Sequence, residues 1–258
     1  MANNNPIGLF DSGIGGTSIW KAIHELMPNE STIYLADSIN APYGQKTKEE
    51  IIALSFKNTE FLLNQNVKLI VVACNTATTN AIKELRAAFD IPFIGIEPAI
   101  KPAALRSKTD AIGVLATMGT INSELFHKAV LSYPETHIIE QIGHGLVQLI
   151  EEGKLESEEM TRLLHQYLQP MVAANIDHLV LGCTHYPYLI PQIKAIIPDN
   201  ITIIDSGEAV AKQTKKSLES SIGLHDNSKP FHSFYTNITP DVLSNILNNQ
   251  YKVELIDF

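Results

Sequence analysis

Cysteine is scarce in this chain: two residues, Cys74 and Cys183, among 258. That number excludes a disulfide framework, and a reducing cytosol would keep both thiols free. Each is therefore either core filling or chemistry. Basic clusters are scarce too. Nineteen Lys and Arg stand against 28 Asp and Glu, a formal charge of −9, and the densest basic run is "KQTKK" at 212–216. Phosphate backbones would be repelled on average, which argues against a nucleic-acid partner, and the short run reads as a solvated helix face. Nowhere do 18 uncharged apolar residues run together, and the start "MANNNPIGLFDS" has no basic segment leading into an apolar one. The expectation is a cytoplasmic protein with no membrane partner.

What is present is a globular composition, 45% hydrophobic and 18% charged, rich enough in apolar residues for a real core. Short apolar runs alternate with stretches long enough for helices. "IGLF" (7–10), "TIYLA" (32–36), "KLIVVA" (68–73) and "PFIGI" (92–96) read as buried strands, with helices expected over 15–27, 46–65 and 76–89. The alternation continues through "AIGVLA" (111–116), "HIIE" (137–140), "HLVLG" (178–182) and "ITIID" (201–205), with a long helix capped by Ser157. The tail offers "FHSFYT", a helix from Pro240 and a terminal "KVELIDF" strand. This is the pattern of parallel sheets covered by helices.

An internal repeat divides the pattern. "IGLFDSGIGGTS" begins at Ile7 and "IGVLATMGTINS" at Ile112, an offset of 112 − 7 = 105; the cysteines are offset by 183 − 74 = 109. The fold class expected is α/β with two similar lobes, each a mostly parallel sheet flanked by helices, related by a pseudo-twofold axis, with the active site in the cleft between them. The first lobe takes 1–97 plus 207–258 and the second 98–206.

Both cysteines fall at strand ends, where open parallel sheets bind their ligands. "CNTATT" and "CTHY" place free backbone N–H groups and a helix dipole beside each sulfur, so a lowered thiol pKa is expected, with thiolate available near neutral pH. Either cysteine alone could be a small buried hydrophobe. The matched pair needs more. Metal ligation wants four convergent ligands, and only His178 and His185 are near. Thiol exchange usually places its cysteines close in sequence, and a cysteine hydrolase leaves the second one idle. Acid and base catalysis on opposite faces of one carbon uses both: one thiolate takes a proton while the opposing thiol delivers one. The turn "GLFDSGIGGTS" adds Asp11 and glycines at 13, 15 and 16; it reads as a tight turn, a partial dinucleotide fingerprint lacking its third glycine, or a carboxylate-binding turn.

The stretches "FDSGIGG", "ADSINAPYG", "VVACNTAT", "IEPAIKPA", "LIEEG" and "LGCTHYP" occur in that order between residues 10 and 187. With them the chain resembles the cofactor-independent glutamate racemases of the aspartate/glutamate racemase superfamily. The resemblance implies racemisation of L-glutamate to D-glutamate for peptidoglycan synthesis, with no cofactor or metal, and a homodimer. It implies Cys74 and Cys183 as the two bases, serving D- and L-glutamate respectively, with Asp11 assisting the first and His185 the second. Asp11, Ser12, Tyr43, Gly44, Asn75, Thr76, Thr184 and His185 would hold the substrate. Glu151 would be a further acid of the site, with Glu152 as the neighbouring choice. A racemase of aspartate or another amino acid, or a non-catalytic amino-acid-binding module, are the competing readings. One departure stands out: after "GIGG" the family often begins a leucine-rich helix, whereas this chain reads "TSIW", with Trp20 its only tryptophan.

Overall fold

The computed structural model describes residues 3–224 and 229–258. The first half builds β1 (Ile7–Asp11), β2 (Thr32–Ala36), β3 (Leu69–Val72) and β4 (Phe93–Gly95); then come β5 (Ala111–Ala116), β6 (His137–Ile142), β7 (His178–Gly182) and β8 (Thr202–Ile204). The tail adds β9 (His232–Thr236) and β10 (Val253–Leu255). Two sheets result, ordered β10-β9-β2-β1-β3-β4 and β6-β5-β7-β8, with every pairing parallel. The segments β2-β1-β3-β4 and β6-β5-β7-β8 share one topology, so the repeat seen in sequence is a repeat of fold. The tail returns to the first sheet.

β1, β2, β3, β5 and β7 are buried at every residue, which is why their sequences read as continuous apolar runs rather than alternating ones. Helices α1 (Thr17–Leu26), α2 (Lys48–Asn64) and α3 (Asn75–Ala88) make the crossovers of the first sheet. At the start of α2, Thr47 and Glu50 exchange hydrogen bonds, Glu50 N–H to Thr47 Oγ1 at 3.2 Å and Thr47 N–H to Glu50 Oε2 at 2.7 Å, satisfying two otherwise orphaned groups. Ser157 caps the helix Glu158–Ala173 by accepting from Met160 N–H at 3.2 Å. Among the described residues no helix is long and apolar enough to cross a membrane.

Trp20 shows what the unusual "TSIW" does. It is buried, donates from Nε1 to Thr32 Oγ1 at 2.9 Å, stacks on His24 and meets Phe234 and Tyr251 edge-on. The ring pins α1 to the strand the tail adds, and α1 carries the glycine turn on its N-terminal side. Trp20→Ala should therefore cost about 3–5 kcal/mol of stability. Urea denaturation measures it; a loss under about 1 kcal/mol would mean that the aromatic cluster does not anchor α1.

Candidate active site

Each strand that leads into a proposed functional residue delivers it at its carboxyl end, so the residues gather on one rim. Asp11 ends β1 and opens the turn to α1. Cys74 follows β3 and is the N-cap of α3, its Sγ accepting from Ala77 N–H at 3.4 Å. Cys183 and His185 follow β7, and Glu151 ends the helix Leu146–Glu151 of the second sheet's half. His178 begins β7, a strand length away from Cys183, and pairs with Asp177 at 2.7 Å. It is thus held apart from the thiols, and among the described residues no group of three or more His, Cys, Asp and Glu side chains could hold a metal ion.

A small, narrow cavity lies between the sheets, with Cys74 from one and Cys183 from the other in its wall. Ser12, Tyr43, Gly44, Asn75, Thr76, Thr184 and His185 also line it. Asp11 and Glu151 do not; they stand one layer behind. Asp11 is fully buried and accepts from Gly16 N–H at 2.7 Å. Glu151 Oε1 accepts from His185 Nε2 at 2.6 Å, while His185 Nδ1 lies 3.7 Å from Cys183 Sγ. Glu152 instead faces outward, bonded to Lys154 and Gln148, so Glu151 is the carboxylate that reaches the site. On the other side the Cys74 thiol donates to Ser12 Oγ at 3.7 Å.

Two glycines make this meeting of the lobes possible. A Cβ on Gly13 would overlap the Glu151 carboxylate, and one on Gly15 would overlap the His185 ring. Neither has positive φ, so space, not backbone freedom, dictates glycine there. The turn is a docking surface for the opposite lobe.

Burial, reinforced by the Asp11 carboxylate, pushes the Cys74 thiol well above its ordinary value. The expectation of a ready thiolate at Cys74 is thereby corrected: the Ala77 N–H at the helix start pulls the other way and is outweighed. Burial also raises Asp11, against the opposing pull of His185 and the Gly16 N–H. For His185, burial favours the neutral ring, but hydrogen bonds to Cys183 and Glu151 and the fields of Cys183 and Asp11 raise it well above its ordinary value. These contacts favour the protonated ring.

Both side-chain polar atoms of Asn75 and Oγ1 of Thr184 are buried with no hydrogen-bond partner among the described residues. These residues directly follow the two cysteines and line the cavity. Unpaired buried polar atoms cost free energy, so these atoms are free to bond water or a polar ligand in the cavity. Tyr43 behaves differently. Its hydroxyl donates to Asp37 Oδ2 at 2.5 Å and accepts from Asn58 Nδ2 at 3.0 Å, leaving only its ring and backbone for a ligand.

A model of the Asp/Glu/hydantoin racemase family matches residues 9–214. The chain belongs to that family. It is 46% identical over 216 residues to a glutamate racemase of Herpetosiphon aurantiacus, covering 83% of this chain and 85% of that one. A glutamate racemase of Bacillus anthracis superposes with a TM-score of 0.88 at 34% identity, covering 98% of this chain and 97% of that one. The Francisella tularensis glutamate racemase, solved in complex with D-glutamate, gives 0.85 at 31% identity over 98% of each chain.

Within this family fold the cavity has a lining residue that the sequence reading missed. Thr117 faces the site and its Oγ1 lies 2.7 Å from that of Thr76. The repeat offset identifies it, since 12 + 105 = 117 pairs it with Ser12. The seam is tight here as well: a Cβ on Gly44 would come within 2.8 Å of Thr117 Cβ, and one on Gly119 within 2.8 Å of Thr76 Cγ2.

Proposed function

We propose that this chain interconverts L- and D-glutamate by moving protons at the α-carbon with two thiols. The observation that carries the reading is the pair Cys74 and Cys183, at equivalent positions of two like-ordered sheets and in the wall of one cavity. Relatives of the same family over most of the chain are glutamate racemases, and one holds D-glutamate.

With L-glutamate bound, Cys183 as thiolate takes the α-proton, and Cys74 delivers its own proton to the opposite face. One C–H bond breaks, one forms, and the negative charge passes from Cys183 to Cys74. The electrostatics suit this starting state: burial and Asp11 favour the protonated form of Cys74, and the contacts of His185 favour positive charge beside Cys183. Asp11 supports the Cys74 side and His185, backed by Glu151, the Cys183 side. An α-proton is far less acidic than a thiol, so the carbanion depends on preorganised donors in a dry site. Ser12, Asn75, Thr76, Thr184 and the Tyr43–Gly44 backbone are the groups placed to supply them.

The lobes run over 1–97 plus 207–258 and over 98–206. Supporting these boundaries, Ser206 Oγ donates to Glu97 O at 2.6 Å, tying the two crossings together. The enzyme works in the cytoplasm as a homodimer, and its D-glutamate supplies peptidoglycan synthesis. To test substrate and reaction together, purified protein is incubated with L-glutamate, and separately with L-aspartate, with no cofactor added. Optical rotation should decay to zero for glutamate alone. Decay only with aspartate would reassign the substrate, and binding without decay would make the chain an amino-acid-binding module.

A further inference from the structure

The geometry points to Ser38 as a positioning residue for the Cys183 side of the reaction, one that holds the Glu151 carboxylate in register with His185 from across the lobe boundary. The inference rests on the two-thiol reading above. Ser38 lies just beyond β2, is 8% exposed, and donates from Oγ to Glu151 Oε2 at 2.9 Å. The other oxygen, Oε1, accepts from Ile14 N–H at 2.7 Å and from His185 Nε2 at 2.6 Å. Two of the three donors thus come from the first lobe, while the carboxylate and the imidazole belong to the second.

A carboxylate fixed at one oxygen still turns about its last bond. Fixing the second oxygen sets its plane, and with it the direction in which Oε1 meets the ring. His185 then presents Nδ1 to Cys183 Sγ at 3.7 Å. Ser38 is absent from the cavity wall, so it acts through Glu151 and touches no substrate. The hydrogen bonds that hold Cys74, to Ser12 and from the Ala77 N–H, share no partner with Ser38 or Glu151, while the field of Asp11 reaches both Cys74 and His185 and is the same with or without the Ser38 hydroxyl. Losing the Ser38 hydroxyl should disturb one face of the reaction and spare the other. The chain Ser38–Glu151–His185–Cys183 thus crosses from the first sheet's half of the molecule to the second.

The test compares Ser38→Ala and Ser38→Thr with wild type. Mirror-image substrates have equal free energies, so kcat/KM must fall by the same factor in both directions; about tenfold is expected for Ser38→Ala, the loss of one hydrogen bond to a charged group. The split appears in the isotope effects. With α-deuterated substrates, the effect on kcat/KM should rise for the enantiomer whose proton Cys183 takes, L-glutamate in the assignment above, because that transfer becomes more rate-limiting. It should fall towards unity for D-glutamate, and Ser38→Thr should recover most of the rate at an unchanged thermal midpoint. Isotope effects that stay put or move together in both directions would overturn the role, as would a folded Thr variant no faster than Ala. Failure of the wild type to racemise glutamate in the same assay would instead remove the reading beneath it.

Discussion

Cys74→Ala and Cys183→Ala are each expected to lower kcat/KM for glutamate racemisation by about a thousandfold or more, in both directions, within the range set by losing one positioned acid–base group. A racemase that used one base could lose the other thiol and keep turning over. In the mechanism proposed above the two faces of the α-carbon have separate proton carriers, so either deletion removes one of the two obligatory transfers. The reverse reaction passes through the same transition states, and the loss is symmetrical. Both side chains are small, and neither is a ligand to anything structural: Cys74 Sγ meets Ser12 and Ala77, and Cys183 Sγ meets His185. Folding should survive, and near-wild-type thermal midpoints would show it. Polarimetry on both enantiomers measures the loss; a single-cysteine variant within tenfold of wild type would sink the two-thiol mechanism.

The second large effect is expected at Gly13 and Gly15. An alanine Cβ at Gly13 would occupy the place of the Glu151 carboxylate, and one at Gly15 that of the His185 ring. Neither neighbour is a flexible end free to swing aside. Glu151 is bonded to Ile14, Ser38 and His185, and His185 lies between Glu151 and Cys183. The three nearest atoms to the built Cβ all belong to Glu151 at Gly13 and to His185 at Gly15, so the strain falls on that contact. Displacement by about an ångström at a reacting centre costs on the order of a hundredfold in rate, and that loss in kcat/KM is expected for either variant. Gly153→Ala is the contrast: its nearest neighbour, Val242 Cγ2, is 3.9 Å from a built Cβ, and its φ of +71° is the only strain. That change should cost stability of about 1 kcal/mol and leave turnover near normal. Equal activity in Gly13→Ala and wild type would show that the lobes can meet without this contact.

Much of the fold was legible because its strands are buried on both faces, so apolar runs mark them directly. "TIYLA", "AIGVLA" and "HLVLG" match β2, β5 and β7 residue for residue. The cysteines were legible through their repeat, and Ser157 through its capping pattern. Other features depend on what surrounds a residue in space. The thiol of Cys74 sits at a helix N-terminus, as its sequence indicated, yet burial beside Asp11 outweighs that terminus. No local pattern distinguishes Glu151 from Glu152; helix phase aims one at His185 and the other at Lys154. Tyr43 stands in a recognisable "PYG", but its hydroxyl is committed to Asp37 and Asn58. Thr117 stands inside the repeat, opposite Ser12, but a threonine just beyond a strand carries no chemical signal of its own.

The central claim is that two different groups carry the two protons, and the early product of the reaction in deuterated water tests it most directly. Starting from protiated L-glutamate, the reaction is stopped after a few per cent conversion, the enantiomers are separated, and the α-position of each is read by NMR. Two thiols predict D-glutamate carrying deuterium from its first appearance, since its proton comes from solvent-equilibrated Cys74, while the remaining L-glutamate stays largely protiated. D-Glutamate that retains the original protium would mean that one group removes and returns the same proton, and would contradict the mechanism.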